Sequence, residues 1–192
     1  MKVKVSKMAV KYPQWLVFEN VLSEEECDLL IEQAREVGQI KASTFGGTVD
    51  DTRKTNIRWL NDNSDFGWVH LRLREYTRIA NEKFGMRLSH LPALQFTEYE
   101  EVGHHYHYHH DVEFNDQKDT QRKVSLVVQL SDPEDYEGGE FAFKHLEQPP
   151  SEMMMKRGTL LAFISYHEHM VSPIESGERR SLVGWYEGPR YI

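Results

Sequence analysis

Cysteine is almost absent from the sequence. Cys27 is the single cysteine among 192 residues, so no disulfide bond can form within the chain, which excludes disulfide-stapled secreted scaffolds and fits a reducing compartment. Long hydrophobic runs are also absent. The longest apolar stretch, Thr159–Ile164, is far too short to span a bilayer, and the N-terminal residues lack the apolar core of a secretory signal. These absences predict a cytoplasmic protein with no membrane contact.

Basic residues are in the minority. The chain has 23 Lys and Arg residues against 31 Asp and Glu residues, a formal net charge of -8. This balance disfavours a nucleic-acid partner, because such partners need a basic surface. Repeats, low-complexity tracts and Pro/Gly/Ser-rich linkers are lacking as well. We therefore expect one domain over residues 1–192, and the sequence leaves its oligomeric state open.

Two amphipathic helices are predicted in the first half of the chain. Ser23 and Glu26 form a capping box that starts the first helix, and Gly38 is expected to end it in the left-handed conformation. Its apolar face consists of Cys27, Leu30, Ala34 and Val37. The second helix is predicted from about residue 65 to Phe84, ended by Gly85. Its expected buried side consists of Trp68, Leu71, Ile79 and Phe84.

Short strands are predicted after Gly85. Residues 93–99 alternate with period two, residues 124–130 form a β-branched apolar run, and glycine or proline separates these from further runs at 160–164 and 181–185. This spacing predicts an all-β core, a barrel or sandwich of about eight strands, flanked by the helices. We place the helical part at about residues 22–85 and the β core at about 91–187. Between the helices, the polar residues 43–56 predict a mobile loop or hairpin.

The segment from Gly103 to Asp111 is the most unusual in the chain, with the sequence GHHYHYHHD. Such a run is also typical of an exposed loop or an adventitious metal binder. In an extended strand, side chains two residues apart share a face, so His109 and Asp111 point together and can take adjacent positions on a metal. With a second histidine they would form the facial triad of iron(II) oxygenases, which leaves the opposite face of the metal open.

The third ligand is expected from a strand further along the chain. The later histidines are His145, His167 and His169. His169 is favoured because a turn at Ser176–Gly177 would return the chain and bring Arg179 beside the metal pocket. There its guanidinium can bind a distal carboxylate in a bidentate manner. His167 shares a strand face with His169 and stays the rival ligand.

Four motifs follow one another in a fixed order. They are Y-x3-G-x2-Y-x2-H-x-D from Tyr99, R-x-V-S-x3-Q-L-S-D-P from Arg122, Y-E-G-G-E from Tyr136 and H-x-V-x-P-x3-G-x-R-x-S-L-V from His169. This set resembles the prolyl 4-hydroxylase branch of the 2-oxoglutarate/Fe(II)-dependent dioxygenases, most closely the compact bacterial and phage-type members. The resemblance covers residues 91–185 and extends to the first helix. It implies a double-stranded β-helix (jelly-roll) core with iron inside one end.

The resemblance implies which residues bind the metal and the cosubstrate. The metal ligands that it implies are His109, Asp111 and His169. At the far carboxylate of 2-oxoglutarate it implies Arg179 and Tyr99. Further cosubstrate positions that it implies are Gln129 and Ser181. The family often has a tyrosine at position 129, so the glutamine is a departure from its pattern.

The resemblance places three more residues on the substrate side of the metal: Arg122, Trp185 and Tyr106. Simpler explanations stay open for some of these residues. Arg122 could form a surface salt bridge, Trp185 could pack in the core, and Tyr99 could be a structural strand residue. The resemblance implies no role for the remaining histidines of this region, which are His104, His105, His107, His110 and His167.

The resemblance also implies an activity. The expected enzyme uses Fe(II), O2 and 2-oxoglutarate, with ascorbate as a further cofactor, and couples hydroxylation of an unactivated C–H bond to decarboxylation of 2-oxoglutarate into succinate and CO2. Asp111 favours hydroxylation, because halogenases of this superfamily carry Gly or Ala at that position to admit a halide. The favoured substrate is a prolyl residue in a peptide or protein, which the charged loop at residues 43–56 would cover.

Two alternatives stay open. A free amino acid such as proline or lysine, or another small molecule, could be the substrate. The chain could also be a non-catalytic metal-binding module on the same fold, although no ligand position is missing from it. A nucleic-acid demethylase is disfavoured, because that branch carries a second arginine where this chain has Trp185.

Overall fold

The computed structural model of the chain describes residues 3–5, 13–42, 51–114 and 118–191. Residues 43–50 of the predicted loop lie outside the described residues. The elements of the first half are β1 (Val3–Val5), β2 (Trp15–Phe18), α1 (Glu24–Arg35), β3 (Ile40–Lys41), β4 (Arg53–Lys54), β5 (Asn56–Leu60) and α2 (Gly67–Phe84). Those of the second half are β6 (Leu94–Tyr99), β7 (His105–His109), β8 (Thr120–Gln129), β9 (Tyr136–Gly138), β10 (Phe141–Phe143), α3 (Ser151–Met154), β11 (Leu160–Ile164), β12 (His169–Val171), β13 (Ile174–Gly177) and β14 (Arg179–Pro189).

Two sheets form the core. The major sheet has eight strands in the order β1-β2-β11-β8-β14-β6-β5-β3, and the minor sheet has four in the order β10-β12-β7-β4. Strands β13 and β9 form a separate antiparallel pair. Every pairing among the described strands is antiparallel, which suits a sandwich of two facing sheets. The predicted mainly-β core with flanking helices is therefore confirmed.

Strand β8 shows how the sequence builds the two faces of the major sheet. Its even-numbered apolar residues, Val124, Leu126 and Val128, belong to the cluster that packs against α1 and α2. Its odd-numbered residues point the other way, because successive side chains of a strand alternate between faces. Of these, Val127 packs in the cluster beneath the minor sheet, and Ser125 bonds to Asp111. The space between the sheets thus receives both apolar side chains and polar ones such as Ser125.

Helix α1 begins as predicted but ends differently. The Ser23 side chain accepts from the Glu26 backbone amide at 3.1 Å, and the Glu26 carboxylate accepts from the Ser23 amide at 2.9 Å. The expected left-handed end at Gly38 is wrong, because the helix is capped at Glu36 in the right-handed conformation. The Arg58 Nη1 from β5 donates to the backbone carbonyls of the last turn and of Val37, at 2.9 and 2.5 Å. A distant strand therefore satisfies the groups that a left-handed glycine would have served.

Helix α2 ends at the predicted glycine, and Gly85 adopts the left-handed conformation with φ 66°. Its predicted buried side is partly wrong, because Leu71 is 65% exposed, whereas Leu73 is fully buried. Trp68 and Ile79 are only half-buried at the edge of the core. None of the helices within the described ranges combines the length and the apolar character that crossing a membrane would require.

Candidate active site

Three predicted metal ligands meet at the open end of the minor sheet. His109 ends β7 and His169 begins β12, and the two are directly paired across the antiparallel ladder. Asp111 follows β7, and its backbone amide donates to the Ser165 carbonyl at 2.9 Å, which fixes the chain where it leaves the strand. Their ligand atoms lie within 4.8 Å of one another. Among the described residues this is the one such cluster of histidine, cysteine and carboxylate groups.

Backbone carbonyls orient both imidazoles of this cluster in the same way. The Nδ1 of His109 lies 2.8 Å from the His107 carbonyl oxygen, and the Nδ1 of His169 lies 2.9 Å from that of His167. Because a carbonyl accepts only, each Nδ1 carries the hydrogen and each Nε2 keeps its lone pair. Each Nε2 faces a different oxygen of the Asp111 carboxylate at 3.6 Å. The three lone pairs therefore converge on one point.

The protonation states of the cluster suit a cation. Burial lowers the pKa of His169 to about 4, so its imidazole is neutral near pH 7. Burial alone would raise the pKa of Asp111, but the neighbouring His169, His109 and Arg122 outweigh it and lower that pKa. The carboxylate is therefore ionised. A buried anion beside two imidazole nitrogens is the donor set expected of a divalent transition metal.

Neighbouring side chains hold the three ligands in place. The Ser125 hydroxyl, fully buried on β8, donates to Asp111 Oδ2 at 2.6 Å, and its oxygen lies 2.9 Å from the Ser165 hydroxyl. The Tyr106 ring stacks on His109 with centroids 3.4 Å apart. Phe163 packs against His169 with centroids 4.8 Å apart. Such outer contacts fix ligand geometry and tune metal affinity.

The triad opens into a cavity of about 440 Å³ between the two sheets. Eight of the ten residues that the sequence singled out line it: Tyr99, Tyr106, His109, Asp111, His169, Arg179, Ser181 and Trp185. Alternate residues of β14 supply one wall, as expected for a strand face. The structure places Gln129 and Arg122 outside this lining, next to it. Apolar walls with a few convergent polar groups are typical of a small-molecule site.

Arg179 lies at the end of the cavity that the major sheet forms. It is paired across the ladder with Tyr99, its Cζ lies 5.3 Å from the Tyr99 ring centroid, and it is only 3% exposed. The structure gives it no carboxylate partner among the described residues, and its buried Nη1 has no hydrogen-bond acceptor there. Burial raises the pKa of the Tyr99 phenol, although the Arg179 charge opposes this. Because buried guanidinium groups require partners, this geometry indicates a site for a carboxylate.

Aromatic side chains form the outer part of the site. The Arg122 guanidinium carbon lies 3.7 Å from the centroid of the Trp185 ring, so Arg122 packs on an aromatic face. Trp59, which is 39% exposed, continues from Trp185 toward the surface with a centroid distance of 6.3 Å. Arg53 also lines the cavity, and its guanidinium carbon lies 4.6 Å from the Tyr106 ring centroid. Sequence reasoning missed Arg53, because no spacing rule connects it to the triad.

Gln129 makes a contact that the sequence did not predict. Its Nε2 donates to the Tyr136 phenol oxygen at 2.5 Å. Tyr136 belongs to the Y-E-G-G-E motif, and the resemblance implies no role for it, but it is buried and packs with Tyr99 and Val171. Gln129 and Tyr136 line an adjoining cavity, which shares Arg179 and Phe141 with the metal-side cavity.

Three of the other histidines bond to groups outside the triad. His167, the rival ligand, lies with its Nε2 2.7 Å from the Gln14 side-chain oxygen, and burial lowers its pKa to about 4. His105 lies between the Gly103 and Asp51 carbonyl oxygens, at 2.7 and 2.8 Å. The Nδ1 of His104 accepts from the Glu100 amide. These contacts explain why His169, rather than His167, joins His109 and Asp111.

Sequence comparisons found related proteins. Residues 94–187 match the family model of the 2OG-Fe(II) oxygenase superfamily. A PKHD-type hydroxylase of Synechococcus sp. (strain CC9902) is 41% identical over 87 residues, which are 45% of this chain and 38% of that protein. The chain spans less than half of the length of this relative and of the next curated relatives that it matches.

Solved structures agree with the fold. The viral collagen prolyl hydroxylase of Paramecium Bursaria Chlorella virus-1, in its 2OG complex, superposes with a TM-score of 0.71 at 23% identity, covering 91% of this chain and 96% of that chain. The prolyl hydroxylase of Trichoplax adhaerens, in complex with a hypoxia inducible factor peptide, gives a TM-score of 0.72 at 17% identity, covering 90% and 83%. The jelly-roll prediction is confirmed, and over residues 94–187 the chain is similar to the 2OG-Fe(II) oxygenase superfamily.

Proposed function

We propose that the protein is a dioxygenase that uses Fe(II), O2 and 2-oxoglutarate to hydroxylate an unactivated C–H bond, with release of succinate and CO2. One observation carries this proposal. A single cavity has the His109–Asp111–His169 cluster on one side and the buried, unpaired Nη1 of Arg179 on the other. A 2-oxo acid that chelates a metal needs both features when it also bears a second carboxylate.

The residues present fit the metal and the cosubstrate. The imidazoles of His109 and His169 and the carboxylate of Asp111 would hold Fe(II), and bound Fe(II) would supply the activation of O2 for hydroxylation. Arg179 and Tyr99 would hold the far carboxylate, and Ser181 lines the wall between them and the metal. The chain itself would orient the cosubstrate and surround it with a buried, charged pocket. Ascorbate is proposed as an auxiliary reductant.

A prolyl residue in a peptide or protein is the proposed substrate. Tyr106 and Trp185 line the metal-side cavity, and Trp59 extends the aromatic surface outward. Aromatic grooves suit proline-rich segments, because the extended proline conformation is preformed and its ring packs on aromatic faces. The structural relatives that act on prolyl peptides support the same class. A free amino acid is the alternative substrate.

Metal and cosubstrate binding test the reaction class. Under anaerobic conditions, Fe(II) and 2-oxoglutarate together should give the protein a weak visible charge-transfer band, and air should then yield succinate. His169→Ala should abolish both signals. His167→Ala is the matched control, because its side chain bonds to Gln14 instead of the cluster, and it should keep both. A band without succinate in the presence of substrate would indicate a non-catalytic module, and the opposite result for the two variants would overturn the ligand assignment.

The substrate proposal needs its own experiment. Proline-containing peptides, matched peptides with alanine in place of proline, and free proline and lysine are each incubated with the loaded enzyme. We expect a mass gain of one oxygen atom on the proline peptides alone. The same gain on a free amino acid, with none on any peptide, would favour the small-molecule alternative.

A further inference from the structure

The anchoring of Arg179 differs from the pattern that the family resemblance implies. A tyrosine is expected at position 129 beside the far carboxylate, but this chain has Gln129 there. The Cα of Gln129 is paired with Ser181 across the ladder, so position 129 lies beside Arg179 in the sheet. A shorter amide side chain has replaced the phenol at a place where a buried guanidinium needs support.

Tyr136 supplies a phenol at the same place from a different strand. Tyr136 begins β9, which pairs with β13, and its Cα partner is Gly177, two residues before Arg179. Gly139 has φ 63° and lies between the two side chains. A Cβ there would be 2.8 Å from Arg179 Cδ and 3.5 Å from Tyr136 Cε2. The Tyr136–Gly139 segment therefore packs closely against the Arg179 side chain.

Gln129 fixes the orientation of that phenol. Its amide donates to the Tyr136 oxygen at 2.5 Å, and both groups are buried, with 3% and 6% exposure. Burial raises the pKa of the Tyr136 phenol, while the charge and the hydrogen bond of Arg179 act to lower it. The phenol thus stays neutral near pH 7 and lies within reach of both its neighbours. Gln129, Tyr136 and Arg179 line the same adjoining cavity, and none of the three metal ligands is among its lining residues.

We propose that Gln129, Tyr136 and Arg179 form a relay, in which Tyr136 is a positioning residue that turns the unpaired Nη1 of Arg179 toward the cosubstrate. The inference rests on the proposed function, since the relay matters only for a ligand with a distal carboxylate. Tyr136 takes over the support that a tyrosine at position 129 would give, and Gln129 acts through it. Binding of a ligand that carries a distal carboxylate should therefore depend on the relay, whereas binding of a ligand that only chelates the metal should not.

The test measures ligand binding to Mn(II)-loaded protein by calorimetry, with 2-oxoglutarate and oxalate as the two probes. Tyr136→Phe removes only the hydroxyl. We expect 2-oxoglutarate to bind about 10-fold or more weakly, as for a lost hydrogen bond to a charged group, and oxalate to bind as in the wild type. Tyr76→Phe is the matched control, because Tyr76 lies on helix α2, where its ring packs against Phe18, and it should change neither affinity.

A double-mutant cycle tests the relay itself. Gln129→Met removes the amide and should weaken 2-oxoglutarate binding, while the double variant should bind no more weakly than Tyr136→Phe alone. Additive losses, unchanged 2-oxoglutarate binding in Tyr136→Phe, or an equal loss for oxalate would each overturn the relay. Wild-type protein that binds Mn(II) and oxalate but not 2-oxoglutarate would instead overturn the proposed function, and the relay with it. If Tyr136→Phe does not fold, the relay is tested with Gln129→Met alone, by comparing its affinities for 2-oxoglutarate and oxalate. Weaker binding of 2-oxoglutarate alone supports the relay, and any other result overturns it.

Discussion

Ser125→Ala tests whether the major sheet sets the geometry of the metal cluster. The Ser125 hydroxyl has one proton, and it donates that proton to Asp111 at 2.6 Å. Ser165, 2.9 Å away, must therefore be the donor in the second bond. Removing the Ser125 hydroxyl deletes a bond to a charged carboxylate, which contributes about 1.5–3 kcal/mol. It also leaves the Ser165 hydroxyl without an acceptor in a fully buried position.

Two measurements follow from this chain of bonds. Metal-free Ser125→Ala should lose roughly 2–4 kcal/mol of unfolding free energy in urea, and its Mn(II) affinity in a chelator competition should fall about 10- to 100-fold. Ser165→Ala is the control. It keeps the bond to Asp111, so it should lose only about 0.5–1.5 kcal/mol of stability and bind Mn(II) within about two-fold of the wild type. Wild-type affinity in Ser125→Ala, or a larger defect in Ser165→Ala, would refute the reasoning.

Three further predictions concern the fold. Leu73→Ala should reduce the unfolding free energy in urea by about 2–5 kcal/mol, whereas exposed Leu71→Ala should change it by less than about 0.5 kcal/mol. Gly158→Ala should lower the melting temperature, because its φ is 76° and a Cβ would lie 2.1 Å from a backbone carbonyl oxygen, while Gly38→Ala, with open space around it, should not. Burial raises the pKa of Cys27 to about 11, so the thiol keeps its proton at pH 8 and should react with a disulfide reagent only after unfolding.

Strand periodicity was sufficient to predict which side chains of the site share a face. His109 and Asp111 are two residues apart at the end of β7, and Arg179, Ser181 and Trp185 alternate along β14. Both statements depend only on the period of an extended chain. The resemblance then connected the two segments, which periodicity alone cannot do. This is why the sequence could predict the cluster and the arginine before any pairing of strands was known.

Helix boundaries and faces were harder to predict, because distant residues decide them. Gly38 had the right residue type for a left-handed end, but Arg58 of β5 bonds to the carbonyls instead. On α2, Leu71 and Leu73 are equally apolar, and only the packing of the helix on the major sheet buries one and exposes the other. Side chains that satisfy a carbonyl across the fold leave no local signal in the sequence.

Two of the residues that sequence reasoning missed each connect one sheet to another. Ser125 lies on the major sheet and bonds to Asp111, which belongs to the minor sheet's cluster. Tyr136 lies on the β9–β13 pair and reaches Arg179 of the major sheet. Short motifs fix which chemical groups each strand presents, but the distance between the cluster and the guanidinium is set by how the sheets pack. A cosubstrate held at both ends would therefore connect the two sheets. The separation of the sheets, rather than any one motif, would then determine which length of cosubstrate fits.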